Sequence, residues 1–394
     1  MKKMTRRQVL KSAGLAAGYL FAAPSILRTF AGSAKPGIEI ERIQYVSNQP
    51  DIYYGWPTIA RRKDGELLVS CSGGREQHVC PFGRVDLFRS QDQGKTWTWP
   101  QTLYDGPIDD RDSGLLVTSK GTILATTFTS IAYWEYGMNK EAERRAQGKG
   151  RWDDAKFERW MSVHRRISDD QRKKELGSWM IRSEDGGINW SARFRVPVNS
   201  PHGPIQGFDG RLIYFGIGLT DKQSPLGAAE SLDDGKSWTV FSSIPTQQDF
   251  EGKYPFLNEL HGIELEKGKF LVHIRNNNTG ETVQTESSDN GKSWTKIHSI
   301  GVWGLPSHLM RLHDGRLLMS YGYRRDPYRN MIRISEDQGK SWSEAIFLSE
   351  GGPARDLGYP STVQLDDRSL ITVWYETRPE DKNASIRLAH WKLT

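Results

Sequence analysis

Five ionisable side chains, Asp112, Glu259, His261, His308 and Tyr359, fall at matching positions of short apolar segments spread along the 394-residue chain. When these segments are aligned by the turn residue that follows each, Trp56, Asp112, Pro201, Glu259, Pro306 and Tyr359 share one level. Two residues further on, on the same strand face, come Thr58, Gly114, Gly203, His261, His308 and Ser361. His202 lies beside this second set. Carboxylates, imidazoles and a phenol brought together supply groups for proton transfer near neutral pH. The three histidines also keep proton abstraction by His and metal binding open as chemistries.

The elements that must position these groups announce themselves as a repeat. The octapeptide Ser-x-Asp-x-Gly-x-x-Trp occurs five times, starting at Ser90, Ser183, Ser231, Ser287 and Ser335, with spacings of 93, 48, 56 and 48 residues. It reads as a rigid turn: Asp accepts hydrogen bonds from turn amides, Gly takes a left-handed backbone, and Trp packs beneath. These aspartates are therefore structural. Each copy sits between two strand-like runs, and upstream lies a second hairpin with an Asp-Gly turn, as at Asp64-Gly65, Asp209-Gly210 and Asp314-Gly315. Two hairpins per period of about 48 residues make a four-stranded blade, and repeated blades make a β-propeller. The strand pairs predict an all-β fold of six blades, the last closed by the early strand 38–46.

The 93-residue spacing holds a surplus between Thr129 and Gly177. Residues 139–175 carry 12 basic and 8 acidic residues without Pro and read as helical. This predicts a helical insertion at about 131–176 in blade two, either a solvated decoration or a lid over the site.

Residues 1–34 contain six basic residues and no acidic one, which leaves 48 of each in the rest of the chain. The net charge of +6 thus sits in the leader, and nucleic acid is not an expected partner. Arg6-Arg7 ahead of an apolar, Gly/Ala-rich run and small residues at 31–34 read as a removable twin-arginine export signal. An uncleaved anchor is the alternative, against which Pro24 and the short apolar run weigh. The mature chain, residues 35–394, is expected in the periplasm or secreted, without stable membrane insertion. Cys71 and Cys80 allow either a local disulfide or two buried thiols. No zinc-ligand spacing occurs.

The five repeats resemble the Asp boxes of sialidases, and residues 35–394 resemble the sialidase (neuraminidase) superfamily of six-bladed propellers. That resemblance implies a Tyr nucleophile activated by Glu, an Asp acid/base and three Arg that grip a substrate carboxylate. Asp-Leu-Gly-Tyr359-Pro-Ser resembles the segment with the family's Tyr, and Asn258-Glu259-Leu-His-Gly-Ile-Glu-Leu the segment with its Glu. Arg275 stands at the spacing of the second Arg. Arg324, Arg325 and Arg329 lie where the third is expected, and Glu376 where a Glu orients the first.

Two positions depart from the family. Its Arg-Ile-Pro is replaced by Gly55-Trp56-Pro57, which removes the first Arg, and the loop Ser72–Pro81 that should carry the acid has no Asp. Either Arg75 from that loop is the substitute cation, or the substrate is not an ordinary sialic acid. His78, Glu76 and Asp112 are the expected acid/base groups. Trp56, His202, His261 and His308 complete the expected substrate-binding set.

The chain is therefore expected to be an exo-glycosidase of sialidase type that removes a terminal acidic sugar from a glycan without metal or organic cofactor. The alternatives are a hydrolase or lyase on uronate-containing glycans that uses the histidines, and a non-catalytic glycan-binding propeller.

Overall fold

The two hairpins of each period become four antiparallel strands, and six such sheets form the chain from Gly37 to Thr394. The computed structural model describes residues 37–47, 49–218, 225–248 and 255–394. The expected export signal lies outside the described residues. Blade one runs Tyr53–Arg61, Leu67–Arg75, Arg84–Ser90 and Gln101–Tyr104, from the inner to the outer strand. The innermost strands of blades three to six are Ile205–Gln206, Leu257–Glu266, Ser307–Arg311 and Leu357–Gln364. Blade six takes its outer strand from the start of the chain: Ile38–Tyr45 pairs with Ser385–Leu393, as the strand count predicts.

Alternating apolar residues make each sheet face sticky, and adjacent sheets pack face to face. Each seam has its own buried cluster. Leu68, Leu87, Leu115 and Ile123 join blades one and two; Tyr54, Phe88, Val373 and Leu388 join blades one and six and so close the ring. Burial of such side chains contributes about 1.5–3 kcal/mol each and is the main force on the ring.

All five octapeptides join the third and fourth strands of a blade. In the first, the Gly94 amide donates to Ser90 Oγ, the Thr96 amide to Asp92 Oδ1, and Trp97 Nε1 to the Gly94 carbonyl at 3.2 Å. Gln93 and Gly94 are both left-handed, with φ of 60° and 75°. Burial would raise the Asp92 carboxyl, but hydrogen bonds from the Thr96 amide and hydroxyl and from the Ser90 hydroxyl hold it down at about 2. The boxes are turn locks on the face opposite the starts of the inner strands.

The blade-two insertion is helical, as predicted. A π-helical turn, Trp134–Met138, leads into α1 (Asn139–Ala146), α2 (Asp154–His164) and α3 (Asp169–Glu175). It joins the second and third strands of its blade, so it rises on the same face as the inner-strand starts. Its own core of Tyr133, Met138, Phe157, Trp160 and Met161 packs on Cys80. Cys71 and Cys80 are both free and buried in separate clusters, which resolves the sequence alternatives in favour of thiols. Among the described residues no helix is long and apolar enough to cross a membrane.

Candidate active site

The level deduced from the sequence is a real structural layer. Trp56, Asp112, Glu259 and Tyr359 all have left-handed backbones, with φ of 55°, 50°, 49° and 51°. Non-glycine residues rarely adopt this conformation, and for bulky Trp and Tyr it carries strain. In blades one, four and six the strand pairing slips at this level, between Gly55 and Thr58, Asn258 and His261, and Gly358 and Ser361. In blade two the inner strand breaks into Asp109–Arg111 and Leu115–Val117 around Asp112. Each slip re-aims one side chain toward the axis. One layer further in, a Cβ on Gly114 would stand 2.3 Å from the Gly203 amide nitrogen, so only glycine fits that close approach.

At the centre the Tyr359 hydroxyl donates to Glu259 Oε1 at 2.7 Å. One Nη of Arg275 donates to Glu259 Oε2 at 2.7 Å and to the Tyr359 oxygen at 3.1 Å. Burial, and next the Glu259 carboxylate, push the Tyr359 phenol well above its usual 10. The Arg324 guanidinium lies 5.6 Å from the Tyr359 ring centre and donates to the Leu357 carbonyl and the Tyr375 hydroxyl. Burial raises the Asp112 carboxyl to about 7; Arg111 opposes this and Glu259 adds to it.

His78 stands at the rim with its side chain 43% exposed. Its Nδ1 is 2.9 Å from Asp356 Oδ1 and 3.0 Å from the Tyr53 hydroxyl. The hydroxyls of Tyr53 and Tyr375 both donate to Asp356 at 2.9 Å. Burial pulls the Asp356 carboxyl up, but bonds from His78, Tyr375 and Tyr53 outweigh it and hold the group low. A carboxylate bound to Nδ1 orients the ring and leaves Nε2 for proton transfer. His78 also stands edge-on to Trp56, with ring centres 5.0 Å apart.

Beneath Tyr359 lie His202, His261 and His308, with ring centres 4.5 to 5.5 Å from one another. Burial pushes all three down, His308 to about 3. Among the described residues no three His, Cys, Asp or Glu side chains are placed to hold a metal ion.

Four residues expected at the site are engaged elsewhere. Both Nη atoms of Arg75 bond Asp109, at 2.7 and 2.9 Å, in an ion pair whose side chains are fully buried, so Arg75 does not reach out as a substitute cation. Glu76 is taken by the insertion: Arg159 and Trp160 of α2 donate to its carboxylate, and they hold it low against the effect of burial. Arg325 is exposed and stacks 3.8 Å from the Trp303 ring centre. Glu376 is buried and pairs with Arg387 at 3.4 Å, not with an arginine of the channel.

Sequence reasoning missed Asp356, Tyr53, Tyr375 and Arg111. All four sit within three residues of positions it singled out: Tyr359, Trp56, Glu376 and Asp112. The Arg111 guanidinium lies 4.7 Å from the Trp56 ring centre, with only a long 3.8 Å contact to Asp109.

The fold and this layer define a six-bladed propeller with a Tyr–Glu–Arg cluster at the mouth of its channel. Residues 160–372 match the BNR repeat-like domain, and the chain belongs to that family. A sialidase of Bacteroides fragilis is 25% identical over 344 residues, which cover 79% of this chain and 56% of that protein. The chain thus spans just over half the length of that curated relative. Among solved structures, a protein of unknown function from Dyadobacter fermentans superposes with a TM-score of 0.71 at 22% identity over 91% of this chain and all of its own. The NanB sialidase of Streptococcus pneumoniae superposes with a TM-score of 0.61 at 14% identity over 90% of this chain and 71% of its own. These likenesses support the sialidase-like propeller fold.

Proposed function

We propose that the protein is an exported exo-glycosidase of sialidase type that cleaves a terminal acidic sugar from a glycan. The observation that carries this reading is the Tyr359–Glu259 hydrogen bond with Arg275 on both partners. A phenol is a weak nucleophile at neutral pH, and an adjacent carboxylate both accepts its proton and supports the charge that develops on attack. In the first step the Tyr359 oxygen bonds to the anomeric carbon, its proton passes to Glu259, and the bond to the leaving oxygen breaks. That oxygen takes a proton from His78, which Asp356 holds by Nδ1. Water then adds to the anomeric carbon, gives a proton back to His78 and displaces Tyr359, which recovers its own from Glu259. This route differs from the two-carboxylate scheme of most glycosidases.

Arg275 and Arg324 supply positive charge beside Tyr359 for the sugar's acidic group. Arg111, over the ring of Trp56, stands beside the place of the missing first arginine. The His–Asp–Tyr network at the rim also supports a second reading, β-elimination from a uronate with His78 as base.

The deciding experiment is incubation of an aryl α-sialoside and of an oligosaccharide containing a 4-linked uronate with the purified mature protein, with Tyr359→Phe alongside. Release of the aryl group that Tyr359→Phe abolishes sustains the first reading. An unsaturated uronate product, or hydrolysis that survives Tyr359→Phe, sinks it.

A further inference from the structure

A cavity of about 470 Å³ opens at the other end of the channel, walled by the far ends of the inner strands. Its floor is the under-surface of the histidine trio, His202, His261 and His308. His202 is 2% exposed, and neither of its ring nitrogens has a hydrogen-bond partner; Nδ1 of His308 is likewise unpartnered. Buried polar groups are nearly always satisfied, so an orphaned imidazole facing a cavity marks a place for a ligand's own polar groups. At the rim stand Arg61, Arg62, Lys63 and Arg311, and no carboxylate is among the residues lining the cavity. Asp366 and Glu66, outside the lining, neutralise Arg61 and Arg62. Among the described residues Lys63 has no ion pair, and Arg311 spends its guanidinium on carbonyls of Gly315, Glu264 and Leu265 and on Gln338. The result is a polar, uncharged floor under a cationic rim, with Leu309, Met310 and Val363 as apolar wall between them.

The geometry points to a second binding site here, separate from the Tyr359 cluster, for a mono- or disaccharide that carries a carboxylate. An imidazole presents one donor and one acceptor, which a hydroxyl group matches and a bare anion does not. The rim cations suit a carboxylate held outward, and the volume falls in the range of small-ligand pockets. The site does not depend on the glycosidase reading, since it shares only the histidine layer with the other face.

Calorimetric titration of the full chain with glucuronate, glucose and sulfate tests it, with thermal melting as a check of folding. The expected result is binding of glucuronate, with glucose and sulfate each weaker by about tenfold or more. The double variant Lys63→Glu, His313→Glu alters exposed residues lining the cavity and should weaken glucuronate by a similar factor, whereas Lys140→Ala, an exposed change on α1 at the opposite face, should leave it unchanged. Three results would overturn the proposal: no glucuronate binding, binding that sulfate matches, or binding lost in Lys140→Ala and kept in the double variant.

Discussion

The Tyr359 hydroxyl and Glu259 Oε1 lie 2.7 Å apart across the channel, although 100 residues separate them in the chain. Both residues sit in left-handed backbone at strand slips, so the blades are bent to bring them together. If this pair is the nucleophile and its base, Tyr359→Phe should reduce kcat to background. Glu259→Gln, which keeps the shape but accepts no proton, should lower kcat by about 10²–10⁴. Circular dichroism should stay near wild type in both; melting should change little in Tyr359→Phe and fall in Glu259→Gln, which leaves the part-buried Arg275 without its charge partner. Full activity in either variant would end the assignment.

His78 and Asp356 make a separate prediction. A general acid matters most when the leaving group is poor. His78→Gln should therefore cost about 10²–10⁴ in kcat on a natural glycan and far less on a nitrophenyl glycoside. Asp356→Asn, which loosens the hold on the His78 ring and on the Tyr53 and Tyr375 hydroxyls, should show the same pattern with a smaller loss. Equal losses on both substrates would remove His78 from proton transfer.

Asp112 allows a test that needs no substrate. Its carboxyl is raised to about 7 by burial, with Arg111, Arg75 and Arg275 opposing and Glu259 adding. The folded state thus holds a proton that the unfolded chain has lost above the ordinary aspartate value of 3.8. Its contribution to stability is fully present below that value and fades as pH rises through about 7. Asp112→Asn removes this dependence and suits the left-handed backbone, where Asn is favoured. The variant's melting temperature should gain on wild type between about pH 4 and 7 and hold its lead above, with an effect on the order of a few kcal/mol. A constant difference across that range would mean that Asp112 is ionised throughout.

Why some of this was legible and some not is clear from individual residues. Tyr359, Glu259 and Asp112 could be placed because each sits a fixed distance before a turn in a repeating blade, so register alone carries them to one ring. Arg75 and Glu76 share the loop of His78, but loop position does not say where a long side chain ends. Arg75 turns inward to Asp109 of the next blade, and Glu76 turns to α2, whose docking no period announces. Asp356 escaped notice because its meaning comes from three partners, His78, Tyr53 and Tyr375, on strands and loops of two blades. Repetition reveals the level of a residue; side-chain partners across a seam need the fold.

The contrast between Arg75 and Arg111 gives the last prediction. Both guanidiniums flank Trp56, at 4.9 and 4.7 Å from its ring centre, in the blade where the first substrate-gripping arginine is missing. Arg75 is fully buried and spends both Nη atoms on Asp109. Removing one partner of such a pair strands the other charge, so Arg75→Met should cost about 3–5 kcal/mol of stability. Arg111 keeps 11% of its side chain exposed and holds Asp109 only at 3.8 Å. Arg111→Met should therefore change melting little and raise KM for a carboxylated sugar by about tenfold or more, with a smaller effect on a neutral analogue. Paired urea denaturation and steady-state kinetics separate the two residues. A KM effect without destabilisation at Arg75, or the reverse at Arg111, would exchange their roles.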